Sequence, residues 1–120
     1  MIRKTIASAV AATGLIAGSL LLAAPAQAAP SDCASGNFCM WTDYNNVGQY
    51  RAYSYHKDPV PAPLNNNDRS SYNRMSQAGM ELYSGTGYSG YMGCSRPGAR
   101  WTHHSPERTV ESIKKVSSCG

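Results

Sequence analysis

The chain has 120 residues, with 11 Lys plus Arg against 7 Asp plus Glu and a formal net charge of +4. Arg3 and Lys4 stand at the very start, and without them nine basic residues face the same seven acids, about +2, too little for a basic stripe. Nucleic acid and anionic lipid are therefore excluded as expected partners.

Residues 1–28 read as an export signal. Arg3 and Lys4 form its basic start, residues 6–24 are mostly apolar, and Ala26-Gln27-Ala28 supplies small residues for cleavage. Pro30 and a polar chain follow, without the charged flank of a stop-transfer helix, so the expected product is secreted, extracellular and free of the membrane once the signal is cut. Residues 29–120 are then expected to form a single domain with a thin core, of a size at which exported proteins often add disulfides. Cys33, Cys39, Cys94 and Cys119 all lie in it, and an even count in an exported chain reads as two bridges. Of three pairings, Cys33 with Cys39 is favoured, because the five residues between them include Gly36 and can close a local loop; Cys94 with Cys119 follows. The cysteine spacings are not those of zinc knuckles.

Strands are expected at residues 37–42, 49–55, 71–75, 80–83, 89–94 and 110–116, separated by turn-forming residues such as Asn45-Asn46-Val47-Gly48 and Ser84-Gly85-Thr86-Gly87. The segment 56–64 carries Pro59, Pro61 and Pro63 and is expected to be extended and stiff without being a strand. The pattern repeats once. Trp41 precedes Gly48 by seven residues, Tyr83 precedes Gly90 by seven, and the two units start 42 residues apart. Motif one is placed at about 33–76 and motif two at about 77–120. Each is too small to bury its own apolar face, so two four-stranded units packed face to face as an all-β sandwich are expected.

Tyr83-Ser84-Gly85-Thr86-Gly87-Tyr88-Ser89-Gly90 resembles the signature of βγ-crystallin Greek keys: an aromatic residue, four others, a second aromatic, one more, then glycine. In the first copy Trp41 and Gly48 match, while Asn46 stands where the second aromatic belongs and Tyr44 lies nearby. Asn66-Asn67-Asp68-Arg69-Ser70-Ser71 is similar to the calcium motif of that superfamily. The resemblance implies Asn67, Ser70 and the carbonyl of Asp68 as ligands, with a carbonyl near Ser84 from the other copy; the same Asn and Ser side chains are equally suited to bonding their own loop. The matching stretch of the second copy, Glu107 to Ser112, lacks the paired Asn or Asp residues.

The leader, the entry Cys33-Ala34-Ser35-Gly36-Asn37-Phe38-Cys39-Met40-Trp41 and the repeat together are similar to the secreted actinobacterial family of peptidase (metalloproteinase) inhibitors with a βγ-crystallin-like fold. That resemblance implies a monomeric inhibitor of an extracellular protease, a zinc metalloproteinase, with calcium as the one candidate cofactor. Inhibition requires a rigid exposed loop that fills the enzyme's cleft with little loss of conformational entropy. The proline-stiffened segment 55–64 is one candidate. The other, favoured, is Cys94-Ser95-Arg96-Pro97-Gly98-Ala99-Arg100-Trp101, which is anchored by a cysteine and offers Arg and Trp, residue types common at binding hot spots. A calcium-stabilised cell-surface module and a toxin-like βγ-crystallin protein are the alternatives.

No enzyme chemistry is expected. The glycines of residues 85–90 fit a dinucleotide pattern, but no helix or βαβ unit surrounds them. The run from Asp43 fails as an EF-hand because Val47 takes a ligand position and Ser54 stands where the bidentate Glu is required. His103 and His104 would point to opposite faces of a strand, so they make a poor metal clamp and suit a loop.

Overall fold

The computed structural model describes residues 29–120; the expected export signal lies outside the described residues. Seven strands follow: β1 (Phe38–Trp41), β2 (Tyr50–Tyr53), β3 (Ser70–Asn73), β4 (Gly79–Tyr83), β5 (Tyr91–Ser95), β6 (Arg100–Trp101) and β7 (Ser112–Val116). They form an antiparallel four-stranded sheet in the order β2-β1-β3-β6 and an antiparallel three-stranded sheet in the order β5-β4-β7. Each expected strand contains or overlaps one of these. Only β6 is unexpected, being two residues long and close behind Pro97 and Gly98.

The two copies do not close into separate four-stranded units. β6 belongs to the second copy but pairs with β3 of the first, Ser71 opposite Trp101 and Tyr72 opposite Arg100. In return Lys57 of the first copy bridges Ile113 of β7, with N–H to carbonyl bonds of 3.0 and 2.9 Å. That bridge grows no further because Pro59, Pro61 and Pro63 have no N–H to donate to a ladder, which leaves the second sheet with three strands.

Phe38, Met40, Tyr53, Val60, Leu64, Met75, Met80, Leu82, Val110 and Ile113 are buried between the sheets. Fully burying a side chain of this size stabilises the fold by roughly 1.5–3 kcal/mol. β1 is buried on both faces: Phe38 and Met40 point into this core, while Cys39 and Trp41 join Cys33 in a second cluster capped by Tyr50 and Tyr72. Trp41 stacks on Tyr50 with centroids 5.6 Å apart. Cys33 is bonded to Cys39 and Cys94 to Cys119.

The repeated glycines turn the hairpins. Gly48 (φ +94°) and Gly90 (φ +72°) lie in the left-handed region, and a Cβ there would sit 2.8 Å from Thr42 Oγ1 or 2.3 Å from Ser84 Oγ. Asn46 and Tyr88, two residues before these glycines, share φ values of 60° and 58°. Asn tolerates that conformation, which is why it can replace the aromatic residue of the pattern.

Candidate functional site

Residues 94–101 form an arch from one sheet to the other. Cys94 and Ser95 end β5, Arg96-Pro97-Gly98-Ala99 make a turn closed by Ala99 N–H to the Arg96 carbonyl (2.9 Å), and Arg100 and Trp101 are β6. Gly98 has φ +80°, which the turn requires. Arg96, Pro97 and Gly98 are exposed at the crest; Ser95 is buried at the foot.

Asn73, at the end of β3, staples the arch. Its backbone accepts from Gly98 N–H and donates to the Ala99 carbonyl, both at 2.8 Å. Its buried amide donates to the carbonyls of Ser95 (2.8 Å) and Ala78 (3.0 Å), and its Oδ1 accepts from Met75 N–H (2.9 Å). The Cys94 to Cys119 bridge fixes the same foot from the side, packed so closely on β4 that a Cβ at Gly79 would lie 2.5 Å from Cys119 Sγ. At the other foot Arg100 Nε donates to Asn46 Oδ1 (2.6 Å), and Asn46 Nδ2 donates to the Ser71 carbonyl (3.0 Å).

Trp101 leans on the core and meets His104 edge to face at 5.9 Å. His104 is buried with Nδ1 2.5 Å from Asp68 Oδ2 and Nε2 2.9 Å from Ser71 Oγ, while Asp68 Oδ1 accepts from Val110 N–H at 2.9 Å. These are the residue types of a hydrolytic triad, but Ser71 is 0% exposed on an interior strand, so the trio ties β3 to the 102–110 loop and no substrate reaches it. His104 lies more than 30 positions from both Asp68 and Ser71, and no local motif marked the network. The same loop is held on the outside by Glu107, which accepts from Arg69 Nε (2.8 Å) and from the Tyr44 hydroxyl. The Tyr44 hydrogen bond, then that of Arg69, holds the Glu107 carboxyl below its ordinary range, and the same carboxylate raises Tyr44 and Arg69.

The rival segment 55–64 is pinned to the fold at several points, while Tyr55, Lys57, Asp58, Pro59, Pro61 and Ala62 stay exposed. Val60 and Leu64 are in the core, Val60 N–H donates to the Glu111 carbonyl (2.7 Å), and the Asp58 carboxylate accepts from Gly87 N–H (2.9 Å). His103 and His104 sit on a loop, the first exposed and stacked on Tyr44 at 4.6 Å, the second buried.

Several polar groups of the residues expected to hold calcium are engaged by the protein itself, while Asn67 Oδ1 has no hydrogen-bond partner among the described residues. The Asp68 carboxylate is engaged with His104 and Val110, and its carbonyl accepts from Arg108 N–H (2.6 Å). Ser70 Oγ donates to the Asp43 carbonyl (2.6 Å) and accepts from Asn46 N–H (2.9 Å), Asn67 donates to the Pro63 carbonyl, and Ser84 Oγ bonds Gly90 within its own hairpin. Among the described residues no group of three or more His, Cys, Asp or Glu side chains is placed to hold a metal ion.

The model of peptidase inhibitor family I36 matches residues 26–95, more than half of the chain and including β1 to β5. The chain belongs to peptidase inhibitor family I36. Its members are inhibitors, so this family member is a proteinaceous peptidase inhibitor and not an enzyme, and its partner is a protease. The match ends at Ser95, so the exposed crest of the arch lies just beyond it. No curated protein matches the chain.

Solved structures place the I36 chain in the βγ-crystallin fold. One, from work on the evolution of the eye lens βγ-crystallin domain fold, superposes with a TM-score of 0.65 at 10% identity, over 77% of this chain and 96% of that one. A βγ-crystallin from Ciona intestinalis gives 0.59 at 13% identity, over 67% and 99%. A βγ-crystallin domain from Clostridium beijerinckii gives 0.56 at 14%, over 68% and 99%. At these identities the likeness concerns the fold alone.

Proposed function

We propose that this inhibitor is exported, that its target is a zinc metalloproteinase, and that it blocks the enzyme's cleft with the arch 94–101. The observation that carries the reading is the arch itself: an exposed Arg96-Pro97-Gly98 crest on feet fixed by a disulfide, by Asn73 and by Asn46. A crest already held in one conformation loses little entropy on binding, and proteinase inhibitors are tight because of such preorganisation. β5 adds a second element. It is the edge of its sheet, so its outer N–H and C=O groups are paired with no strand and can extend into a protease cleft by strand addition. Export is supported by the basic, apolar and small-residue order of residues 1–28.

The test is a titration of the purified protein against a thermolysin-type zinc protease, with a serine protease as control, with and without calcium. Saturable inhibition of the zinc enzyme alone is expected. Inhibition confined to the serine protease, or none from folded protein, would overturn the target class. A calcium-dependent rise in melting temperature without inhibition would favour the calcium-module reading, in which Ser70 and the Asp68 carbonyl give up their present partners to the ion.

A further inference from the structure

The two halves of the molecule differ in one stretch of loop, which matching hydrogen bonds delimit. In the first copy Val60 N–H donates to the Glu111 carbonyl (2.7 Å) and Asn66 N–H to that of Val110 (3.0 Å). In the second copy His104 N–H donates to the Arg69 carbonyl (2.8 Å) and Arg108 N–H to that of Asp68 (2.6 Å), so the acceptors differ by 42 positions, the spacing of the repeat. Between these bonds the first copy has residues 61–65 and sends Leu64, fully buried, into the core. The second copy has only Ser105, Pro106 and Glu107 there, and none of the three is buried.

A cavity of about 310 Å³ lies beside the shortened loop. Leu82 of β4, Met92 of β5, Trp101 of β6 and His104 line it, and the exposed His103, Ser105 and Pro106 form its rim. No acid, lysine or arginine is in the lining. His104 commits both ring nitrogens inside the fold, to Asp68 and Ser71, and has none left for an occupant. Its ring stands at 80° to that of Trp101 with centroids 5.9 Å apart, and the Met92 sulfur is held by the Thr109 hydroxyl at 3.6 Å.

The structure assigns this cavity as a binding site for a small, uncharged aromatic molecule of one or two fused rings, taken up where the second copy lacks the leucine of the first. The walls select a ring over an aliphatic group, because an indole, an imidazole at right angles to it and a thioether each gain more from an aromatic face or edge. The lining selects against charge, since a buried ion would find no counter-ion there. The volume is at the lower end of the range of ligand pockets, roughly 300–1,000 Å³, so the occupant is small. Apolar cavities stay dry and take up aromatic solutes. A free molecule is favoured over a side chain of another protein because the apolar lining gives way at the rim to His103 and Ser105, whereas a protein partner needs roughly 800 Å² of buried surface on each side.

The experiment is a calorimetric titration of the purified protein with indole, cyclohexanol, benzoate and N-acetyl-tryptophanamide, read beside magnetic-resonance spectra of protein isotope-labelled at its methionine methyls. Met92 is the one methionine in the lining, while Met40, Met75 and Met80 lie in the core. Indole is expected to bind saturably and to move the Met92 methyl signal through its ring current, leaving Met40 in place. Cyclohexanol has a ring without aromaticity, benzoate carries a charge, and N-acetyl-tryptophanamide is an aromatic side chain with its backbone attached; each is expected to bind at least roughly tenfold more weakly than indole. Ser105→Leu and Met92→Trp fill the cavity from the loop and from β5, and each is expected to weaken indole binding roughly tenfold or more in protein whose Met40 signal is unchanged. Absence of a Met92 shift, equal binding of cyclohexanol or benzoate, equal or tighter binding of N-acetyl-tryptophanamide, or undiminished indole binding in both variants would each overturn the assignment.

Discussion

The segments that follow β2 and β5 occupy equivalent places in the two copies, since each leaves one sheet to reach the other, and they have opposite fates. The first, residues 54–64, is stiffened by three prolines and lies along β7 with Val60 and Leu64 in the core. The second, residues 96–99, buries nothing apolar at its crest and is held from beneath by Asn73 and the Cys94 to Cys119 bridge. Stiffness alone therefore does not mark a binding loop. The first segment spends its rigidity on stability; the second keeps its rigidity at the surface, where a partner can meet it.

Truncating the first segment should break the fold and truncating the second should not. Leu64→Ala removes a fully buried side chain and is expected to cost about 2–5 kcal/mol in chemical denaturation, with inhibition lost only in proportion to unfolding. Asn73→Ala strips the carbonyls of Ser95 and Ala78 and the N–H of Met75 of their partner, for about 1–3 kcal/mol. Unlike Leu64→Ala, it is expected to weaken inhibition in protein that is still fully folded, because it frees the arch. If Asn73→Ala lowers the melting temperature and leaves inhibition intact, the staple serves stability alone.

A smaller contrast concerns pH. Burial pushes Tyr53 up to about 12, and the hydrogen bond to Glu81, ahead of burial, does the same for Tyr83. For groups raised in the folded state, stability is complete below the ordinary tyrosine value near 10 and is lost as pH rises through 12. Melting temperatures should thus fall between these pH values. Tyr53→Phe should remove part of that fall and gain about 1 kcal/mol at neutral pH, because the Tyr53 hydroxyl is buried without a partner. A melting curve insensitive to pH over this range, or a destabilised Tyr53→Phe, would contradict the burial described for this ring.

Much of this architecture was legible in the chain. The aromatic-to-glycine spacing located both hairpins because positive φ and close approach leave few residues that fit, and strand positions followed from turn residues between β-branched and aromatic runs. The exchange of strands was not legible. β6 is two residues long and its partner lies some 30 positions away, so neither periodicity nor turn chemistry could announce it. The Asp68, His104 and Ser71 network and the Asn46 to Arg100 clamp escaped for the same reason, since each joins side chains that only the folded chain brings together. Asn46 is instructive: a departure from the aromatic pattern is what supplies the hydrogen bonds that hold β6.

The most direct test of the arch is the inhibition constant of Arg96→Ala against the zinc protease, read beside its melting temperature. Arg96 is exposed and no fold contact depends on its side chain, so stability should stay within about 0.5 kcal/mol of the unaltered protein. An inhibition constant raised roughly tenfold or more at unchanged stability is the predicted result. An unchanged inhibition constant would contradict the assignment of the Arg96-Pro97-Gly98 crest as the element that meets the enzyme.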